Sequence, residues 1–119
     1  MSNIKVAKFG GSSLADAEQF RKVISIVSSD PDIRYVIPSA PGKRFKDDTK
    51  VTDMLLGCYE KVLSGANYEE DLEKIHARYR SIIDDLGIDC SLEEEFTRIG
   101  YALKGRAGRD YIASRGEYL

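Results

Sequence analysis

The stretch IKVAKFGGSS, residues 4–13, decides how the rest of the chain is read. Ile4 and Val6 sit in an apolar, β-branched run that ends on the pair Gly10 and Gly11, the pattern of a strand entering a tight turn. Ser13, with Asp16 three positions later, fits an N-terminal cap, and Phe20, Val23, Ile24 and Val27 follow the i, i+3, i+4, i+7 spacing of one helix face. A helix is expected over about 14–28. Ser29, Asp30 and Pro31 stop it, and RYVIPSA, residues 34–40, predicts a second short strand that turns at Pro41 and Gly42. Strand, helix, strand is the parallel βαβ unit.

Downstream the period changes. KRFKDDTK, residues 43–50, has no apolar period and reads as a solvated loop; its Lys43, Arg44 and Lys46 are offset by Asp47 and Asp48, which argues against a nucleic-acid patch. Met54, Leu55, Cys58, Val62 and Leu63 keep helical spacing up to Ser64 and Gly65, and Tyr68, Leu72, Ile75, Tyr79, Ile82 and Leu86 do so again up to Gly87. Ser91 with Glu94 offers another cap, and Leu92, Phe96, Ile99 and Leu103 form a third stripe, interrupted by KGRAGR at 104–109. DYIASRGEYL, residues 110–119, reads as helical on either side of Gly116. The expectation is two strands with four or five helices, an α/β chain rich in helix. Parallel sheets are normally covered on both faces and have several strands, so the pattern reads as unfinished, the more so because Leu119 falls within the first turns of a helix.

The 119 residues carry 18 Lys and Arg against 20 Asp and Glu, a net charge of −2, which excludes a strongly basic nucleic-acid binder. With 42% hydrophobic and 32% charged residues and three prolines, the chain is neither disordered, collagen-like nor a membrane protein, and one domain is its ceiling. No signal-peptide pattern follows Met1, because Lys5 and Lys8 break the first apolar stretch; a cytoplasmic protein is expected. Cys58 and Cys90 lack any CxxC companion and His76 is the single histidine, so no zinc site is expected. The simplest reading of both cysteines is small buried hydrophobes, and of His76 a helix-surface residue.

The glycine turn carries the chemistry. A strand, Gly-Gly, Ser-Ser, helix order aims backbone N–H groups and the positive end of a helix at whatever lies above the turn, which makes an anion site. Lys8, just before the glycines, adds a mobile positive charge, and phosphate is the natural ligand. Neither GxGxxG nor GxxxxGK[ST] is present, since the lysine precedes the glycines.

KVAKFGGSS, the strand closing on PSAPG, then VTDMLLG and finally SRGEYL occur in that order. Together they resemble the amino-terminal part of the catalytic domain of the aspartokinases, members of the amino-acid kinase superfamily. Ser12 stands where that family's KFGGTS motif has Thr, which keeps the hydroxyl, and Pro38 departs from its hydrophobic run into SA-x-G. The resemblance implies the amino-terminal portion of a carbamate-kinase-like three-layer αβα fold. Residues 1–119 would be the aspartate-binding part of a truncated catalytic domain, with the nucleotide-binding half and the regulatory ACT domains absent.

The implied activity is transfer of the γ-phosphoryl group of ATP, with Mg2+, to the β-carboxylate of L-aspartate, giving 4-phospho-L-aspartate at the start of lysine, threonine and methionine synthesis. By this resemblance Lys8 is catalytic and binds phosphate with Gly10, Gly11 and Ser12, while Ser39, Ala40 and Gly42 line the opposite wall. Thr52 would hydrogen-bond the aspartate and Glu117 would pair with its ammonium group. Thr52 reads equally as a helix N-cap and Glu117 as a solvated first-turn acid. No metal ligand is expected in this segment. The expected partners are L-aspartate and ATP, in a homo-oligomer, with no nucleic acid and no membrane. The chain alone is expected to be inactive. The alternatives are another enzyme of the superfamily or a non-catalytic helical interaction module.

Overall fold

The computed structural model describes residues 3–119. Lys5–Lys8 form β1 and Ile33–Ile37 form β2, parallel neighbours with Val6 opposite Tyr35, Ala7 opposite Val36 and Lys8 opposite Ile37. Between them runs α1, Ala17–Ser29, completing the expected βαβ unit. The helix starts later than its apolar period suggests. Gly11–Leu14 are wound into a 3-10 turn, and Asp16 is the N-cap, its carboxylate accepting from the Gln19 N–H at 3.0 Å. Ser13 is therefore not the cap: its own N–H is engaged inside the tight turn with the Gly10 carbonyl, and an anionic cap gains more from the helix dipole. β2 ends at Ile37, so Pro38, which has no N–H to give, follows the ladder instead of interrupting it.

The remaining helices are α2, Val51–Ser64; α3, Glu69–Leu86; α4, Glu93–Lys104; and α5, Arg109–Tyr118. Gly65 and Gly87 close α2 and α3 in the left-handed conformation at φ 75 and 66, the geometry glycine adopts without a Cβ penalty. Ser91 accepts from the Glu93 N–H at 3.4 Å before α4 begins. Thr52 is not an N-cap, because Lys50 occupies that position and the first helical residue is Val51.

The core lies among the helices, not on the sheet. Val51, Leu55 and Cys58 of α2 meet Ile75 and Tyr79 of α3, Phe96, Ile99 and Leu103 of α4, and Ile112 of α5. Full burial of a side chain such as Leu55 contributes about 1.5–3 kcal/mol. Cys58 belongs to this core, and burial pushes its thiol pKa up to about 11, which leaves it inert. Cys90 is exposed in the irregular segment after α3, contrary to its reading as a buried hydrophobe, because no helix carries it inward. His76 corrects the other way. It is buried, its ring stacked on Phe96 with centroids 4.3 Å apart, because α4 crosses the face of α3 that carries it.

By contrast, Val6, Tyr35, Val36 and Ile37 of the sheet and Ile24 and Ile26 of α1 are exposed. The radius of gyration is 15.8 Å against ~13.5 Å for a compact domain of this length, and the longest axis is 57 Å. Among the described residues no helix is long and apolar enough to cross a membrane.

Gly116 sits inside α5, which runs through it unbroken. A Cβ there would stand 2.7 Å from the Cβ of Ala40 and 3.3 Å from Val51, so the missing side chain is what lets α5 lie against α2. Tyr79 reinforces this seam by donating its hydroxyl to the Gly116 carbonyl at 3.0 Å. The 43–50 loop is exposed as expected but braced from within. Arg44 grips Asp48 with Nε and Nη2 at 2.6 and 2.9 Å, and the Arg44 N–H adds a third bond to the same carboxylate. These bonds hold the Asp48 carboxyl well below the usual carboxylate range.

Two predictions follow from these contacts. Gly116→Val should lower stability by on the order of 1–3 kcal/mol through overpacking, whereas Gly57→Ala, inside α2 with open space at the Cβ position, should raise it by about 0.5–1 kcal/mol. Urea midpoints decide; an unchanged midpoint for Gly116→Val would remove the packing role given to that glycine. For Asp48, whose folded pKa lies below the unfolded value of about 3.9, the stabilisation is complete above that value and is lost as pH falls below it. Wild type should therefore exceed Asp48→Asn in stability at pH ~7, with the gap closing below pH ~4. A gap that persists in acid would contradict the ion pair.

Candidate functional site

β1 and β2 are parallel, so the turns that follow them leave the same edge of the sheet. The two turns touch backbone to backbone at Gly11 and Gly42. The Gly42 N–H donates to the Gly11 carbonyl at 2.8 Å, and a Cβ on Gly42 would stand 2.6 Å from the Gly11 carbonyl carbon. A Cβ on Gly11 would stand 2.9 Å from the Ala40 oxygen. Glycine is required at both positions by this approach. Val51 at the start of α2 is tied to the same place by its N–H to the Pro41 carbonyl at 3.0 Å.

Beside this contact opens a cleft of about 630 Å³. Gly11 and Ser12 of the 3-10 turn form one wall, Ser39, Ala40 and Gly42 another, and Lys50, Thr52 and Asp53 of the α2 start a third, with Lys43 at the rim. The cleft brings together five residues expected from the sequence, Gly11, Ser12, Ser39, Ala40 and Thr52, along with Gly42. Lys8 and Gly10 are exposed at the end of β1 and in the turn after it, and do not line the cleft. Glu117 is exposed on α5 and lines a separate, mainly apolar hollow of about 560 Å³ with Phe20, Ile82 and Ile83. Ser39 lines both spaces and stands between them.

Sequence reasoning missed three contributors. Lys43 and Lys50, which read in sequence as members of a solvated loop, give the cleft two cations against the single carboxylate of Asp53. Arg78 of α3 is buried behind the cleft. Its Nη1 donates to the Thr49 carbonyl at 2.9 Å, and its Nη2 donates to the Ala15 carbonyl at 3.1 Å and to the Gly42 carbonyl. The available signal was its position: 75, 78, 79 and 82 are one helix face, and Arg78 is the charged member of an otherwise apolar stripe. Chemically, three hydroxyls and two ammonium groups around a glycine turn suit a small, multiply charged anion that also needs hydrogen bonds.

No family model matches the chain. Aspartokinase 3 of Bacillus subtilis (strain 168) is 46% identical over 92 residues, 77% of this chain and 20% of that protein. The lysine-sensitive aspartokinase 3 of Escherichia coli (strain K12) is 31% identical over 99 residues, 83% of this chain and 20% of that protein. The crystal structure of Clostridium acetobutylicum aspartate kinase is similar at a TM-score of 0.93 and 44% identity, over 98% of this chain and 27% of that one. E. coli aspartokinase III in complex with aspartate and ADP is similar at a TM-score of 0.76 and 27% identity, over 98% of this chain and 26% of that one. The chain thus spans about a fifth of the length of the curated relatives it matches, and its fold is a portion of the aspartate kinase fold. With one of its relatives 46% identical and the aspartate kinase backbone followed over 98% of its length, the chain belongs to the aspartokinase family.

Proposed function

We propose that this chain is the amino-terminal, aspartate-binding part of the catalytic domain of a kinase that moves the γ-phosphoryl group of ATP to the β-carboxylate of L-aspartate. In that reaction a carboxylate oxygen forms the new P–O bond, the bond between the β- and γ-phosphates breaks, and ADP leaves. The observation that carries the reading is the convergence of Gly11, Ser12, Ser39, Ala40 and Thr52 on one cleft with Lys43 and Lys50 beside them. L-aspartate offers two carboxylates and an ammonium group. The lysines and the Ser12, Ser39 and Thr52 hydroxyls suit the carboxylates, and Glu117, across Ser39, is the carboxylate assigned to the ammonium group.

Phosphoryl transfer asks little covalent chemistry of the protein; it needs positioning and compensation of charge on the transferred oxygens. Lys8, on the last residue of β1, is the group assigned to that charge, with the Gly10 and Gly11 amides beside it. ATP brings the phosphoryl group and Mg2+ neutralises part of its charge. The adenine side and the remaining phosphate ligands belong to other parts of the kinase, as does the cover for the exposed Val6, Tyr35 and Ile37. The same reading includes a cytoplasmic, homo-oligomeric enzyme feeding amino-acid synthesis. It also implies that the chain by itself does not turn over.

The test joins this chain to the part of Clostridium acetobutylicum aspartate kinase that it does not match, and follows ADP release with aspartate and Mg-ATP. The chimera should be active and the isolated chain silent. Lys8→Ala in the chimera should lower kcat by ~100-fold or more, the size of effect seen on losing a charge-stabilising group. A folded but inactive chimera, or turnover by the isolated chain at the intact rate, would overturn the reading and favour a helical interaction module. An unchanged kcat would remove Lys8 from the chemistry.

A further inference from the structure

Arg78 occupies a core position at 4% exposure, where a charged side chain loses its hydration. The usual compensation is a carboxylate in contact. Among the described residues none of its hydrogen bonds goes to one: its donors meet the carbonyls of Thr49, Ala15 and Gly42, and the buried Nε has no partner there. Asp16 and Asp48 act on it only through space and Arg44 opposes them, while burial holds its pKa below the usual arginine value. An apolar side chain of similar volume would avoid this cost, so stability alone is a poor reason for an arginine here.

The three carbonyls identify what the arginine does. Ala15 closes the segment that begins with the 3-10 turn of Gly11 and Ser12. Gly42 is the residue pressed against Gly11. Thr49 precedes Lys50 and Thr52, which come from the third wall of the cleft. One planar fork therefore reaches each of the three segments that surround the cleft, without itself lining it. A guanidinium holds several carbonyls at fixed relative directions; an ammonium, a single point with rotating donors, does not.

We infer that Arg78 is a positioning residue of the cleft: its fork sets the spacing of the glycine turn, the 39–42 turn and the start of α2. Through them it fixes Ser12, Ser39, Lys50 and Thr52 around the ligand. This rests on the aspartate reading of the cleft only for the identity of that ligand. The clamp itself is a property of the 119-residue chain.

The test has two arms. In the chimera described above, Arg78→Met and Arg78→Lys are compared with Ile75→Val, a core change one helical turn away that lowers stability without touching the clamp. Arg78→Met should raise KM for aspartate by ~10–100-fold, the scale on which misplacement by about 1 Å acts. KM for ATP should move far less, Arg78→Lys should recover part of the loss, and Ile75→Val should leave both KM values unchanged. In the isolated chain, Arg78→Lys should speed hydrogen exchange of the Gly42 and Val51 amides, whose bonds to Gly11 and Pro41 the clamp protects, and spare the amides of α4.

An unchanged aspartate KM in Arg78→Met, or equal rises for aspartate and ATP, would overturn the positioning role. So would exchange that is unaltered or uniformly faster across the chain. If the chimera is inactive or Arg78→Met fails to fold, the exchange of Arg78→Lys alone decides: local acceleration upholds the clamp and, in an inactive chimera, leaves the aspartate reading as what failed.

Discussion

At Gly11 and Gly42 two stretches of backbone lie closer than a side chain on either would allow, and most of the structure is arranged around keeping them there. The contact joins the ends of two parallel strands, so it turns a two-stranded ladder into a closed edge from which the 3-10 turn and the 38–50 loop depart in fixed directions. A single hydrogen bond of this kind contributes only about 0.5–1.5 kcal/mol. Such a contact persists because its surroundings over-determine it. The Val51 N–H on Pro41 holds one side, and Arg78 on the Ala15, Gly42 and Thr49 carbonyls holds the other.

The helices provide the rigidity that the sheet lacks. With its core among α2, α3, α4 and α5, the chain has a firm helical body, while β1, β2 and α1 expose Val6, Tyr35, Ile24 and Ile26. The two parts meet at Ala40, which belongs to the turn after β2 and is packed into the helical core against Val51 and Gly116. A residue larger than alanine at 40, or than glycine at 116, would push the turn away from α2 and α5. The small residues of the two separated motifs, SA-x-G and SRGE, are thus halves of one packing contact about 75 positions apart in sequence. Their spacing gives no hint of that, because each glycine reads locally as a turn or a helix break.

What the sequence made legible follows from how local each signal is. The βαβ unit, the loop at 43–50 and the helix stops at Gly65 and Gly87 rest on short-range patterns, and they are found as expected. The cap shifted from Ser13 to Asp16 because a tertiary contact at Gly11 tightens the preceding residues into a 3-10 turn, which no local pattern encodes. His76 and Cys90 exchanged their expected environments for a similar reason: burial depends on which face α4 crosses, and a helix stripe read alone does not reveal its neighbours. Arg78 was visible as a charge within an apolar stripe, but its three partners lie 29, 36 and 63 positions away. Lys43 and Lys50 were hidden by composition, since a loop rich in both signs reads as solvated whether or not two of its members face a cleft.

Charge balance ties the cleft to the division of the expected site. Lys43 and Lys50 outnumber the single carboxylate of Asp53 in the lining of the cleft, and the buried Arg78 adds a further positive charge that its carbonyl partners do not cancel, whereas Arg44 is offset by Asp48. L-aspartate at neutral pH, with two carboxylates and one ammonium group, is a net anion, so on the proposed reading the excess of cations suits its carboxylates, and Glu117, across Ser39, its ammonium group. A triphosphate brings several further negative charges, and two unit charges 4 Å apart still interact by about 4 kcal/mol near a protein surface. Those charges need cations outside the cleft. On the same reading Lys8, outside the cleft at the end of the strand that leads into the glycine turn, is the cation offered to the phosphoryl end of the reacting pair. On the proposed reading the glycine turn, which follows the Lys8 strand end and also lines the cleft, is then where the two ligands meet, since an in-line transfer needs acceptor and phosphoryl group in contact.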